Sequence, residues 1–366
     1  MIPVNEPIIS KEAKDNVEKA LASGWLSSAG PFVSEFEKEF AKYIGVKHAI
    51  SVSSGTAALH IALLALGIDK GDEVIVPAFT MGATWMAVMY TGATPVFVDC
   101  ELTNYNIDIA KIEEKITSKT RAIIPVHVYG HACEMDEILA IAKRHNLFVI
   151  EDAAEALGGE YKGKKCGSMG DVNCFSFYAN KIVTTGEGGM VVTNNDNLAR
   201  EAAKFKDLYH TDKKRFIHEK LGYNFRMTNV HAAIGMGELQ NIEKYLDKKQ
   251  NMARQYEEGL KNISGIKLPT TKSYVKNTYW MYGIVIDKEK FGIDRNTLRE
   301  KLKKAGIDTR DFFYAPEDQP ILRDIIKEEA LPNTKYLSEN GLYLPSGLAI
   351  TEEQIKTVCE TIKRIF

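Results

Sequence analysis

A surplus of charge of one sign is absent from this chain: 47 Lys and Arg stand against 49 Asp and Glu, a formal net charge of -2. Nucleic acid and anionic membrane surfaces are held mainly by an excess of basic residues, so neither is expected as the main partner. Cysteine is sparse. Cys100, Cys133, Cys166, Cys174 and Cys359 are odd in number and contain no C-x-x-C pair, which argues against a disulfide framework and a zinc ribbon and fits a reducing cytoplasm. The residues from Met1 to Glu6 show neither the basic n-region nor the apolar h-region of a secretory signal, so export is not expected. Internal repeats and low-complexity tracts are also missing. One uncharged run, Val74 to Val98, is long enough on paper to span a bilayer. Pro77, Gly82, Gly92 and Pro95 break it into two β-type runs around a helical segment near Ala83 to Met89, the pattern of a buried α/β core.

What is there is a soluble globular composition: 366 residues, 45% hydrophobic and 26% charged, with room for two domains and a large core. Short apolar β-type runs alternate with amphipathic helical patterns: Glu73 to Pro77, Val96 to Asp99, Ala122 to Val128, Phe148 to Glu151, Asn173 to Phe177 and Met190 to Thr193. Helices are expected over Thr56 to Leu66 and Met135 to His145. That alternation predicts an α/β fold with a mostly parallel central sheet and flanking helices. From Thr228 to Ile263 the pattern is helical without a strand signal. Beyond it, strands at Thr278 to Ile286 and Leu342 to Leu344, with helices at Asp294 to Ala305 and Thr351 to Ile365, read as a smaller C-terminal α+β domain. The expected division is 1–250 and 251–366.

In open α/β sheets ligands sit beyond the carboxyl ends of the strands, so the residues just after those runs come first. Gly158 to Lys165 (GGEYKGKK) approaches a P-loop but ends in lysine where Ser or Thr would hold magnesium, and reads as a surface turn. His127 and His131 have the spacing of a helical metal pair, but Gly130 and the preceding β-type run deny them a shared helical face, so no metal is expected. Ser53-Ser54-Gly55-Thr56-Ala57-Ala58-Leu59 leads small residues into a helix and suits an anion, although an ordinary helix cap has the same look. In Val149 to Glu155 an apolar strand delivers Asp152 to a position where a carboxylate needs a partner, unless it merely caps the next helix. In Phe175 to Gly189, Lys181 stands between an aromatic β-type run and a glycine-rich turn. Among apolar and small neighbours its amine can be desolvated, with a lowered pKa that favours attack on a carbonyl. Together the three supply what a pyridoxal phosphate site needs: an anion cradle, a carboxylate for the pyridinium nitrogen and a Schiff-base lysine.

With those residues in view, the sequence resembles the DegT/DnrJ/EryC1/StrS sugar aminotransferases, a branch of the fold-type-I pyridoxal phosphate enzymes. The likeness runs nearly end to end, through Gly24-Trp25-Leu26-Ser27-Ser28, the Ser-Gly-Thr-Ala-Ala-Leu turn, Glu151-Asp152-Ala153-Ala154, Ser176 to Gly189, Gly222 to Thr228 and Leu344-Pro345-Ser346. The resemblance implies that Lys181 carries the cofactor and shuttles a proton, and that Asp152 keeps the pyridine nitrogen protonated. It places Ser54, Gly55, Thr56 and Ser176 at the phosphate, Glu155 beside the ring hydroxyl, and Met81 where many relatives stack an aromatic ring. Asn224 resembles the asparagine that reaches into a neighbouring subunit's site, which implies a homodimer with shared sites. Trp25, Ser27, Ser28, Arg310 and Tyr314 are expected on the substrate side. Glu317 stands where relatives often carry histidine.

Phe175 to Lys181, Tyr279 to Tyr282 and Thr309 to Tyr314 look most like the members that aminate GDP-4-keto-6-deoxymannose. The implied activity is a cytoplasmic 4-aminotransferase moving nitrogen from L-glutamate to that nucleotide sugar, for a surface polysaccharide such as O-antigen. A UDP- or dTDP-linked sugar is the alternative. The related dehydratases replace the Schiff-base lysine with histidine, a non-catalytic regulator would be expected to lose the lysine or the aspartate, and a nicotinamide enzyme needs a placed G-x-G-x-x-G; Lys181 and Asp152 are present and that motif is not.

Overall fold

The computed structural model describes residues 1–214, 216–326 and 330–366. Its main sheet has seven strands in the spatial order His48–Val52, Gly189–Thr193, Val172–Ser176, Phe148–Asp152, Thr120–Ile123, Glu73–Pro77 and Thr94–Val98. Gly189–Thr193 runs antiparallel to both neighbours, and the other adjacent pairs are parallel. Because successive side chains on a strand point to opposite faces, Val74 and Val76 enter a core with the helices Gly55–Ala65 and Ala83–Tyr90. Ile75 enters another with Phe36, Phe40 and Ile138. Burial on both faces is why these strands read as continuous apolar runs.

Two expected strands are shorter than the apolar pattern suggests. Ala122 to Val128 is strand only as far as Ile123, since Pro125 has no N–H for a ladder. Val126 then makes an isolated bridge to Asp152, and Val128–Gly130 closes a tight turn with Tyr129 at φ 52°. Thr278 to Ile286 becomes strand only at Tyr282, because Tyr279, at φ 47°, turns the chain first.

A second, antiparallel sheet follows, in the order Ile266–Lys267, Tyr282–Ile286, Gly341–Leu344 and Arg310–Asp311. The helices Arg295–Lys304 and Glu352–Ile365 supply Leu298, Leu302, Val358 and Ile362 to its core. The long helix Ile242–Leu260 passes through residue 250, with Tyr245 and Leu246 in a core of the main sheet and Met252, Tyr256 and Leu260 in that of the smaller one. The N-terminal segment also reaches the smaller sheet, where Ile2 bridges Ile307 and the Val4 carbonyl accepts the Ser346 amide at 2.8 Å. No helix among the described residues is long and apolar enough to cross a membrane.

Candidate active site

The carboxyl ends of three strands converge. After His48–Val52 comes the turn into the helix Gly55–Ala65, whose cap, Ser54, accepts the Ala57 amide on its hydroxyl at 3.1 Å. The amides of Gly55 and Thr56 lie in the first turn, where no intrahelical acceptor exists, at the positive end of the helix dipole. A Cβ on Gly55 would lie 2.7 Å from the Ser176 Cβ, and one on Gly189 would lie 2.4 Å from the Ser54 carbonyl oxygen. Glycine at both positions therefore lets this turn lie against the ends of the neighbouring strands and brings Ser176 beside the helix N-terminus. Gly55→Ala is expected to weaken binding of a phosphate-bearing cofactor about tenfold, as overpacking of 1 kcal/mol or more displaces the cradle. Absorbance titration of cofactor-free protein measures this, and unchanged affinity would remove the cradle from the site.

Asp152 ends the central strand and is buried. Its Oδ2 accepts the Thr84 hydroxyl at 2.9 Å and its Oδ1 accepts the Ala154 amide at 3.2 Å. Both donors are neutral, and burial raises the carboxyl pKa despite them. Lys181 is half-buried, with its Nζ 3.6 Å from the centroid of the Trp280 ring. Burial lowers the pKa of this amine, while the carboxylates of Glu155 and Asp152 oppose the shift. Glu155 is buried too, and its Oε2 accepts the Tyr129 amide at 2.8 Å. Loss of solvent raises its pKa, against the pull of Lys181.

These groups face one cavity of about 340 Å³, within the range of small-molecule sites. Of the residues expected from sequence, Ser54, Gly55, Thr56, Met81, Asp152, Glu155, Ser176, Lys181 and Arg310 line it. Met81 is exposed, and its sulfur accepts the Ala83 amide at 3.0 Å. Asn224, Trp25, Ser27, Ser28 and Tyr314 are not on its wall. The carbonyls of Trp25 and Ser27 accept the side-chain and backbone N–H of Asn229, at 2.7 and 3.0 Å, which ties that segment to the start of the helix Asn229–Leu239. Asn224 makes a bridge with Asp207, and the exposed Tyr314 donates to Asp311 at 3.0 Å. Glu317 is exposed.

Thr84 and Trp280 are the functional candidates that sequence reasoning missed. Thr84 carries only the signal of a hydroxyl in the first turn of a helix, and Trp280 reaches Lys181 from far along the chain. Elsewhere, a shallower groove of about 640 Å³ along Lys38, Lys42, Tyr43 and Lys165 gathers none of the candidates. The turn in Gly158 to Lys165 lies between two short paired strands, Glu160–Tyr161 and Lys164–Lys165, with Lys165 over the Tyr43 ring. His127 pairs with buried Glu151 at 2.9 Å, and the Nδ1 of His131 lies 2.8 Å from the Ala132 carbonyl oxygen.

The donor set fits pyridoxal phosphate: a helix N-terminus with two free amides for the phosphate, a buried carboxylate with only neutral donors for a protonated ring nitrogen, and a desolvated amine on the same cavity wall for the aldehyde.

Residues 7–363 match the DegT/DnrJ/EryC1/StrS aminotransferase family, and the chain belongs to that family. Two similar proteins are the GDP-perosamine synthases of Escherichia coli O157:H7, 41% identical over all of this chain and 98% of that one, and of Vibrio cholerae, 38% identical over all of this chain and 99% of that one. Among solved structures, a Streptococcus pneumoniae protein in its PLP form superposes with a TM-score of 0.93 at 27% identity, covering all of this chain and 98% of the other.

Proposed function

We propose that this aminotransferase uses pyridoxal 5'-phosphate to move an amino group from L-glutamate to C4 of a GDP-linked 4-keto-6-deoxy sugar, giving a GDP-perosamine-type product. The observation that carries the chemistry is the convergence of Lys181, Asp152 and the helix N-terminus at Gly55 on one cavity. The choice of sugar is supported by end-to-end likeness to GDP-perosamine synthases. Bound here, the cofactor supplies an aldehyde and a ring that withdraws electrons from the carbon bearing the transferred nitrogen.

The chain's own residues do the rest. Gly55, Thr56, Ser54 and Ser176 hold the phosphate. The Asp152 carboxylate keeps a proton on the ring nitrogen, and Thr84 keeps that carboxylate facing inward. Lys181 Nζ, its pKa lowered by burial, acts first as nucleophile and then as the base that takes and returns a proton. Glu155 and Met81, on the same cavity wall, would hold the ring, and Arg310 would take an anionic group of the substrate. Trp25, Ser27, Ser28 and Tyr314 complete the substrate side. Two copies share their sites through Asn224, the chain divides near residue 250, and the enzyme works in the cytoplasm to supply a surface polysaccharide.

The test is an absorbance spectrum of purified protein before and after glutamate, followed by mass spectrometry of GDP-4-keto-6-deoxymannose incubated with both. A visible band that moves to shorter wavelength with glutamate, together with aminated GDP-sugar, is the expected result. The spectral shift without that product would leave the transaminase and refute the GDP sugar, making UDP- and dTDP-linked sugars the next substrates.

A further inference from the structure

We infer that Lys249 is a positioning residue of this site: its buried amine ties the carbonyl of Trp280 to that of Ser346 and so holds the Trp280 indole against Lys181. The inference rests on Lys181 being the cofactor lysine. Lys249 lies in the long helix Ile242–Leu260 and is only 3% exposed. Its Nζ donates to the Trp280 carbonyl at 2.8 Å and to the Ser346 carbonyl. Both acceptors are neutral, and burial lowers the pKa of the amine to about 7. A core that needed only volume here would be filled by methionine or leucine without that desolvation. What lysine adds is two directed bonds.

Those bonds act where the sheet does not. Ladder pairing of the strand Tyr282–Ile286 begins at Tyr282, and Tyr279 has left-handed φ, so Trp280 needs a tether of another kind. The Ser346 end is firm: its amide donates to Val4, its hydroxyl accepts the Tyr282 amide at 2.9 Å, and the Tyr256 hydroxyl donates to the adjacent Pro345 carbonyl at 2.8 Å. From the other end, Trp280 Nε1 donates to the carbonyl of Asn180 at 2.8 Å, and the ring lies against the Lys181 amine. The path from Lys249 to Lys181 is therefore one carbonyl and one indole long.

An aromatic face favours the charged form of an amine set against it. The readout is the pH midpoint of the visible absorbance of the Lys181-linked cofactor, measured in the wild type, Lys249→Met, Trp280→Leu and the double variant. Neither substitution alters Glu155 or Asp152, the carboxylates facing Lys181, and Lys249 itself faces carbonyl oxygens. Lys249→Met is expected to lower the midpoint by about half to one pH unit. In the Trp280→Leu background it is expected to add nothing, as residues acting through one another do not add. An unchanged midpoint in Lys249→Met, or shifts that sum in the double variant, would overturn the inference. If Lys249→Met yields no folded protein, Lys249→Gln, whose amide still carries N–H donors but on a side chain too short to span both carbonyls as lysine does, is expected to shift the midpoint the same way by less, and no shift there is equally fatal. A wild type with no visible absorbance after cofactor addition would instead refute the reading of Lys181, and the inference with it. Failure of the GDP sugar as substrate touches neither.

Discussion

Lys181→Ala is expected to lower turnover by at least about 10⁴-fold, because in the proposed reaction one side chain serves as both nucleophile and proton carrier, and no second amine lines the cavity among the described residues. Among the described residues, the other basic side chain on the cavity wall is that of Arg310, whose guanidinium stays protonated at working pH and cannot act as a base. The amine of Lys249 is occupied with two carbonyl oxygens. Lys181→Arg is therefore expected to fail as completely as alanine, since it restores charge without a free amine. Product formed from GDP-4-keto-6-deoxymannose and glutamate, counted by mass spectrometry against the wild type, reads the effect. Cofactor should also dialyse out of the alanine variant and stay with the wild type. Activity within about tenfold of wild type in either variant would sink the assignment of Lys181.

The expectation about Lys181 came from composition around one residue, and the structure shows why that signal was readable. Apolar and small neighbours mean desolvation, and desolvation lowers the pKa of an amine wherever it happens. Asp152 was legible for a similar reason: a carboxylate at the end of an apolar run has few places to go but the carboxyl edge of a sheet. Partners supplied from elsewhere in the chain were not legible. Trp280 and Thr84 reach the site through tertiary packing, and no local pattern ties either to it. Strand ends were misjudged where backbone chemistry overruled side-chain pattern, at Pro125 and at the left-handed Tyr279. The edge strand His48–Val52 escaped notice altogether, since its His-Ala-Ile-Ser-Val run is neither strongly apolar nor cleanly alternating. Yet it is this strand that carries the chain to Ser54 and Gly55. The proposed anion cradle is therefore legible in sequence as a helix start, without the strand that delivers it.

Asp152→Asn is expected to lower turnover by about 10²- to 10³-fold while raising the melting temperature of the cofactor-free protein at neutral pH. The two effects have one cause. The folded protein holds the Asp152 carboxyl above its ordinary pKa because burial disfavours the charge, so the native state binds that proton more tightly than the unfolded chain does. Stability of the cofactor-free wild type then falls as pH rises from the ordinary carboxylate range through the raised value, and the loss persists above it. Asparagine carries no charge to desolvate, and its side-chain oxygen can still accept from Ala154, so the variant escapes that loss. A protonated ring nitrogen is the partner that makes the buried charge useful, and asparagine cannot hold a proton there by charge. The phosphate cradle is untouched, so cofactor affinity should fall far less than turnover. Melting curves of the cofactor-free forms from about pH 4 to about pH 8, set beside turnover and absorbance titrations, test all of this. Near wild-type turnover would remove Asp152 from the chemistry. A lower neutral-pH melting temperature in the variant would mean that the bonds to Thr84 and Ala154 outweigh the cost of the buried charge.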